Sequence, residues 1–258
     1  MTVLKVILHL SIIVILTILT QVGGIIWLIA LVISKRWRKK KRYVFPIIYL
    51  TCNLFIIPLS APLLGRTALP IFNSSLHPHN FIYPLLFRNY VSAELKSSLI
   101  EASKELNGHS VEITYLDANF PFINRFPLLP HLSHNDGNKI DISFMYLENG
   151  KRTDKKSSKS GYGAFTSNSN PTSDYCLSKG FWQYDITKYI TFGTNKNLTL
   201  DKPTTKLLIQ GLIKCHDNPK IFIEPYLKEE LGLENNNRIR FHGCQAVRHD
   251  DHIHFEIK

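Results

Sequence analysis

Two long charge-free runs near the start of the chain place the strongest constraint on its fold. Residues 6–33 and residues 43–64 contain no Lys, Arg, Asp or Glu. A bilayer is crossed by about 20 apolar residues in a helix, and a cleaved signal peptide usually has an apolar stretch of only about 7–15 residues. We therefore predict a retained two-helix transmembrane hairpin over residues 1–64. Its first helix should tilt or bend near Gly23 and Gly24.

The segment between the runs, residues 35–42, carries seven Lys and Arg residues. The formal net charge of the chain is +11, so only +4 remains outside this segment. Basic loops beside membrane spans stay in the cytoplasm, which places the N-terminus and everything after Leu64 on the other side of the cytoplasmic (inner) membrane. The apolar runs hold the segment against lipid headgroups. We therefore interpret it as a topology signal and expect no nucleic-acid partner.

The remaining sequence predicts an α+β domain over residues 91–258, preceded by a lead-in over residues 65–90. Apolar spacing and capping residues predict two main helices and a brief third one, and the apolar patterns predict four strands. We expect a small, mostly antiparallel sheet flanked by helices. The main helices cover 92–106, with Ser92 as the N-cap, and 202–214, and the brief helix covers 225–233. The strands cover 111–116, 140–146, 221–223 and 253–257, and residues 148–174, rich in Lys and Ser, are predicted to form a long exposed loop.

Three cysteines lie beyond the apolar runs, at positions 176, 215 and 244. A domain outside the cytoplasm lies in an oxidising compartment, where two of them can pair. The pairing is open from sequence alone. Cys215 with Cys244 is the expectation, because both flank the same late segment.

Two short stretches contain five of the 11 histidines: residues 131–141 and residues 249–254. Catalytic zinc usually takes three His, Asp or Glu ligands and keeps one position open, and His134, Asp141 and His254 can supply that set. Because residues i and i+2 of a strand share a face, His252 and His254 should point the same way. The other histidines, including His242, are expected to be surface or core residues, and Tyr162 and Trp182 are expected to be packing residues more often than cleft residues.

These stretches read H-x-S-H-x-x-G-x-x-x-D and H-x-x-H-x-H. From about Leu99 to the end, the chain resembles the penicillin-insensitive murein endopeptidases, which belong to a group of zinc peptidases that includes lysostaphin, the D-alanyl-D-alanine metallopeptidases and the hedgehog signalling domain. The membrane spans depart from that pattern and imply an anchored relative. The residues that carry the resemblance are His131, Ser133, His134, Gly137, Asp141, His249, His252 and His254.

The resemblance implies that His134, Asp141 and His254 bind Zn²⁺ and that His252 lies beside the reactive water. His131, Ser133 and His249 would line the cleft or support the ligands. Asp251 is the rival catalytic base, because several members of the group use an acidic residue three positions before the last metal-binding histidine. Further candidates to hold the histidine tautomers are Asp136 and Asp250.

The expected function is a membrane-anchored zinc metallopeptidase that hydrolyses amide bonds in peptidoglycan peptide stems or cross-links by metal-activated water. The basic residues 151–159 could attract substrate carboxylates. Endopeptidase and carboxypeptidase action both remain open. Two alternatives also remain: a non-catalytic zinc-containing module that binds peptidoglycan or signals, and a zinc amidohydrolase of a small substrate.

Overall fold

The computed structural model describes residues 3–167 and 169–258, and it is a mixed α+β fold. The helix that begins at Lys41 continues through a π-helical turn at Cys52–Ile56 and a 3₁₀ turn at Ala61–Leu64, so that Lys41–Leu64 is one helical segment. A 3₁₀ segment covers Trp182–Ile190. The α-helices are α1 (Val3–Thr20), α2 (Gly23–Arg36), α3 (Lys41–Thr51), α4 (Ile57–Ser60), α5 (Ile82–Leu85), α6 (Ala93–Asn107), α7 (Pro171–Ser178), α8 (Lys202–Lys214) and α9 (Pro225–Glu230). The strands are β1 (Thr67–Ala68), β2 (Leu76–Pro78), β3 (Tyr90–Val91), β4 (Ile113–Tyr115), β5 (Lys139–Ser143), β6 (Tyr146–Glu148), β7 (Lys151–Thr153), β8 (Leu198–Leu200), β9 (Pro219–Phe222), β10 (Ile239–Arg240) and β11 (His252–Ile257).

The first apolar run changes direction next to Gly23 and Gly24, as predicted, but it forms two helices rather than the one tilted or bent helix that was expected. The break falls at Gln21, which has a positive φ of 65°. A Cβ on Gly24 would lie 2.7 Å from the carbonyl oxygen of Ile13. These residues would be about 16 Å apart in one straight helix, so α2 must fold back along α1. The glycines let the two backbones approach closely.

The turn between α1 and α2 is held by the soluble part of the chain. The Gln21 side-chain oxygen accepts hydrogen bonds from the backbone N–H groups of Phe122 (2.9 Å) and Ile123 (3.2 Å). At the other end of the pair, Lys41 Nζ lies 3.1 Å from His9 Nε2. The start of α1 and the end of the basic segment therefore lie side by side.

Two helical segments are long and apolar enough to cross a membrane: Val3–Thr20 and Lys41–Leu64. Only 6% and 22% of their most apolar 18-residue windows are buried within the protein. A core helix of a soluble protein would bury most of its apolar residues. These helices instead leave most of their apolar surface for another partner to cover.

The central sheet has six strands in the order β10-β9-β11-β5-β4-β2. The central pairs β9–β11, β11–β5 and β5–β4 are antiparallel, while the edge pairs β10–β9 and β2–β4 are parallel. Ile140, Ile142, Ile253 and Phe255 belong to one buried core with residues of α6 and α8. Alternation along β5 and β11 therefore turns Asp141, His252 and His254 to the opposite face of the sheet.

The two long helices of this domain begin where the sequence predicts. Ser92 Oγ accepts a hydrogen bond from Leu95 N at 3.2 Å, and Asp201 Oδ1 accepts one from Thr204 N at 3.1 Å. The prediction of an exposed loop over residues 148–174 is wrong in part. This stretch contains β7 and the start of α7, and Tyr162 is buried within it.

The disulfide joins Cys176 to Cys244, so the expected pairing of Cys215 with Cys244 is wrong. Cys215 follows the end of α8, where its thiol donates to the carbonyl oxygen of Leu212. Cys244 instead lies against α7, with a Cα–Cα distance to Cys176 of 5.2 Å. Closeness in sequence was a poor guide, because the bonded pair is 68 residues apart.

The helical segment shares a buried apolar cluster with the C-terminal domain, which includes residues 65–90 because β2 belongs to the central sheet. Val22 and Ile26 at the start of α2, with Tyr49, Cys52, Ile57 and Ala61 of the Lys41–Leu64 segment, pack with Phe87 and Tyr90 of the domain. The rings of Tyr49 and Phe87 are 5.5 Å apart. The helices are therefore packed against the domain rather than joined to it only by a linker.

Candidate metal centre

Antiparallel pairing of β5 with β11 places Asp141 directly opposite His254. Directly paired residues have Cβ atoms about 5 Å apart on the same face of a sheet. The Asp141 side chain therefore meets the His254 ring, and Oδ1 lies 2.9 Å from Nδ1. The sheet register creates this contact.

His134 joins the pair from the loop before β5. Its Nε2 atom lies 3.0 Å from His254 Nδ1 and 3.2 Å from Asp141 Oδ1. Its other nitrogen, Nδ1, lies 2.8 Å from the carbonyl oxygen of Ala118. A carbonyl oxygen can only accept, so Nδ1 carries the proton and Nε2 presents its lone pair to the group.

Gly137 lets the loop between His134 and Asp141 turn. Its φ is +88°, a value that favours glycine. The Arg66 guanidinium also occupies the space that a Cβ at this position would need. Arg66 follows the Lys41–Leu64 segment, so the end of that segment is packed against the loop that carries His134.

The donor set fits a tetrahedral metal ion. Zinc bonds of about 2.0–2.2 Å would hold ligand atoms about 3.3–3.6 Å apart. The three donor atoms of His134, Asp141 and His254 lie 2.9–3.2 Å apart, so small outward shifts would admit an ion. Two histidines and one carboxylate are a ligand combination of catalytic zinc sites.

The protonation states also suit metal binding. Burial raises the pKa of Asp141, but the neighbouring His134 and His252 outweigh it and hold this pKa well below the usual range. Burial lowers the pKa of His254 to about 3. At neutral pH, Asp141 is therefore ionised and His254 is neutral, as metal ligands must be.

His252 lies beside this group and is supported by Asp251. Its Nδ1 atom bonds to Asp251 Oδ1, while the second oxygen of Asp251 accepts from the N–H of Gly163. His252 Nε2 lies 3.6 Å from Asp141 Oδ1 and has no hydrogen-bond partner among the described residues. Burial lowers the pKa of His252, but the carboxylates of Asp141 and Asp251 outweigh it and raise this pKa to about 9. The Asp251 carboxylate thus contacts His252 rather than any of the three proposed ligands.

The second oxygen of Asp141 faces His131 and Tyr162. The Tyr162 hydroxyl donates to Asp141 Oδ2 at 2.8 Å and accepts from the N–H of Asp117 at 3.1 Å. His131 Nδ1 lies between two carboxylates, 3.1 Å from Asp141 Oδ2 and 3.2 Å from Asp117 Oδ2. These contacts fix the orientation of the Asp141 carboxylate. His131, Asp141 and His252 also form a second group that could hold a metal ion.

His249 lies behind the cluster, with its ring centroid 4.9 Å from that of His252. Burial holds the pKa of His249 well below the usual range, so its ring is neutral at neutral pH. Its backbone N–H donates to Glu224, whose other oxygen accepts from the Tyr184 hydroxyl at 2.6 Å. The H-x-x-H-x-H motif is therefore anchored by Glu224, just before α9, as well as by β5.

Three residues expected to support the histidines lie elsewhere. Asp136 pairs with Lys139 near the surface, and Asp250 pairs with Arg248 at 2.5 Å and with Tyr226. Within the described residues, the Ser133 side chain makes no hydrogen bond to a histidine of the site. The backbone carbonyl of Ala118 and the side chains of Asp117, Tyr162 and Asp251 make the contacts instead. Sequence spacing indicates Asp251, although as a base, but it does not reveal the contacts of Ala118, Asp117 and Tyr162, because only the fold brings these residues to the site.

His242 is a further histidine at the site that sequence reasoning assigned to the surface or core. Its ring centroid lies 5.4 Å from that of His254 and 5.2 Å from that of His249. It is half-buried, whereas the other five histidines of the cluster are at most 4% exposed. No motif indicates it, since it lies on a loop outside both histidine stretches.

Comparison with known proteins gives no match to a protein-family model and no significant match to a curated protein. The metal centre is therefore defined by its geometry alone. Its donor set identifies a site that could hold a metal ion, and the ion itself is a matter for proposal.

Proposed function

We propose that this protein is a membrane-anchored, zinc-dependent hydrolase of amide bonds, related to the murein endopeptidases by its two histidine motifs. The observation that carries the proposal is the convergence of His134, Asp141 and His254 within 3.2 Å, with the Asp251–His252 pair beside them. A structural zinc site needs four protein ligands, whereas this set offers three and leaves the fourth position of a tetrahedral ion without a ligand from the set.

A zinc ion held by His134, Asp141 and His254 would supply Lewis acidity and a water of lowered pKa. The neighbouring residues would manage proton transfer. Asp251 holds His252 through Nδ1, and because the pKa of His252 is raised to about 9, the ring is protonated at neutral pH and its Nε2–H would donate to a developing oxyanion. Tyr162 and His131 hold the Asp141 carboxylate in place. His242 is placed to contact substrate, because it is the most exposed histidine of the cluster.

The proposed substrate is the peptide portion of peptidoglycan. Two apolar helical segments suit a cytoplasmic-membrane protein, and the basic residues 35–42 favour the cytoplasmic side for the segment that joins them. The catalytic domain would then lie on the periplasmic or outer side. Amide-linked peptide stems are the nearest polymer there.

One observation favours the non-catalytic alternative. The ligand residues and His252 are at most 2% exposed, so a polymer cannot reach them without movement of the covering residues. In a protein that uses its metal site for binding or signalling rather than catalysis, the ligand residues could remain buried in this way. The two functions differ in turnover, which a cleavage assay measures directly.

The test uses the full-length chain in detergent, because the helices and the domain share a core. Release of peptides from purified peptidoglycan is measured for wild type and for His252→Ala, with His109→Ala as a control at an exposed histidine. The proposal expects cleavage by wild type and His109→Ala, and a loss of at least about 100-fold in His252→Ala with zinc retained. Zinc binding without cleavage by wild type would favour the non-catalytic module.

A further inference from the structure

The soluble domain contacts the Lys41–Leu64 segment along its side rather than at its end. The Tyr49 hydroxyl donates to the carbonyl oxygen of Leu85 at 2.8 Å, and Asn53 Nδ2 donates to that of Pro84 at 2.9 Å. With a rise of 1.5 Å per residue, these contacts lie about 12 and 18 Å along the helix from Lys41. Helix α5 is therefore level with the middle of a segment that is long enough to cross a bilayer.

The domain exposes large apolar side chains at this level. In and beside α5, Phe81 is 64% exposed, Ile82 57% and Leu85 41%. The Phe72 ring is 5.9 Å from that of Phe81 and is 88% exposed. Beside the turn that Gln21 makes, Ile123 is 58% exposed. We call these five residues the apolar collar. Exposed apolar clusters of this kind mark surfaces that bind a partner.

The helical segment exposes large apolar side chains of its own over the same stretch. Ile47, Leu50 and Leu54 of that segment are 66%, 46% and 56% exposed. An occupant must cover both surfaces at once. A bilayer does so, because its hydrocarbon core is about 30 Å thick and the basic residues at the start of α3 fix one headgroup layer.

We propose that the collar is embedded in the hydrocarbon core of the membrane, from its middle toward the leaflet opposite the basic segment, so that the domain is seated in the bilayer rather than tethered above it. The seating rests on the proposed membrane anchoring but not on the proposed hydrolysis. It explains why the helices share a buried cluster with Phe87 and Tyr90 of the domain. A domain on a flexible tether would need no such packing.

The seating also brings the metal centre close to the membrane. Phe87 packs against Tyr49, and the next residue, Arg88, lies 2.6 Å from Asp117 Oδ1. The second oxygen of Asp117 lies 3.2 Å from His131 Nδ1. Only a few side chains therefore separate the membrane helix from the site.

The test measures the depth of a nitroxide label in the full-length chain, reconstituted in phosphatidylglycerol–phosphatidylethanolamine vesicles. Labels are attached at Ile82→Cys and Ile123→Cys in a Cys215→Ala background. A chain with no added cysteine corrects for labelling of the buried Cys52. The matched control is Leu207→Cys, at a 40% exposed leucine of α8, a helix that packs against α6 and β9. Collision with oxygen reports lipid, and collision with a water-soluble nickel chelate reports solvent.

The proposal expects the ratio of oxygen to nickel collision to be several-fold higher at Ile82 and Ile123 than at Leu207. Equal ratios at all three positions, in a chain retained by the vesicles, would overturn the seating alone. Loss of the chain from the vesicles in alkaline carbonate would overturn both the seating and the anchoring. Neither outcome depends on zinc content or cleavage, so the hydrolase proposal stands or falls separately.

Discussion

At the scale of single residues, the role proposed for His252 depends on Asp251. The carboxylate is fully buried and bonds both His252 Nδ1 and the N–H of Gly163. It therefore fixes which His252 nitrogen faces the metal group. A histidine held this way by a carboxylate is a recurrent arrangement for proton transfer.

Asp251→Asn should lower kcat by about 10- to 100-fold and leave zinc stoichiometry unchanged, because Asp251 contacts no proposed ligand. The double variant with His252→Ala should be no slower than His252→Ala alone, since both changes remove one unit. Peptide release and metal content are measured together, with Asp154→Asn as an exposed control. An additive loss in the double variant would show that Asp251 acts independently of His252.

Residue-level reasoning finds the proposed ligands but not their surroundings. His134, Asp141 and His254 follow from the motif, because zinc chemistry demands particular residue types. The contacts from Asp117, Tyr162 and Ala118 arise only when the loops fold over the sheet. His242 is missed for the same reason, since an isolated histidine carries no pattern.

At the scale of elements, the Cys176–Cys244 disulfide ties α7 to the loop that carries His242. His242 lies two residues before Cys244, and the partner of Cys244 in the disulfide is 68 residues away in sequence. A bond that closes so long a loop stabilises a protein by about 2–4 kcal/mol. It should therefore contribute to the stability of the fold around the site.

Cys244→Ser should lower the thermal unfolding midpoint by at least about 5 °C, because the unfolded chain regains the freedom that the bond removes. Differential scanning fluorimetry of the full-length chain measures this change. Cys215→Ser is the matched control and should shift the midpoint much less, since Cys215 forms no disulfide. A larger shift for Cys215→Ser than for Cys244→Ser would contradict this assignment.

Elements with local signals are predicted well, and elements decided by tertiary contacts are not. The caps at Ser92 and Asp201 place α6 and α8 because each cap is a local hydrogen bond. The break at Gln21 depends on backbone groups about 100 residues away at Phe122 and Ile123. No local pattern could have revealed that α2 folds back along α1.

At the scale of the whole molecule, this fold-back changes the expected membrane topology. If α1 crosses the membrane and α2 returns, the N-terminus and the basic segment lie on one side. The contact between His9 and Lys41 supports this arrangement. The sequence-based prediction placed the N-terminus on the same side as the C-terminal domain instead.

Reporter proteins are fused at three positions: at the N-terminus, after Lys40 and at the C-terminus. The fold-back predicts that the first two positions lie in the cytoplasm and that the third lies outside it. Alkaline phosphatase is active only outside the cytoplasm, and a fluorescent protein exported unfolded remains dark. Each position should therefore give phosphatase activity if it lies outside the cytoplasm and fluorescence if it lies inside. An N-terminal reporter on the same side as the C-terminal one would favour the original two-span hairpin over the fold-back.

The central claim is that His134, Asp141 and His254 hold one zinc ion, and metal content of the purified full-length chain tests it most directly. After dialysis against limiting free zinc, wild type and the exposed control His109→Ala should retain one equivalent by mass spectrometry. His254→Ala and Asp141→Asn should each lose at least about 90% of it, because two ligands bind zinc far more weakly than three. Wild-type zinc content in both ligand variants, or none in the wild type, would contradict the account.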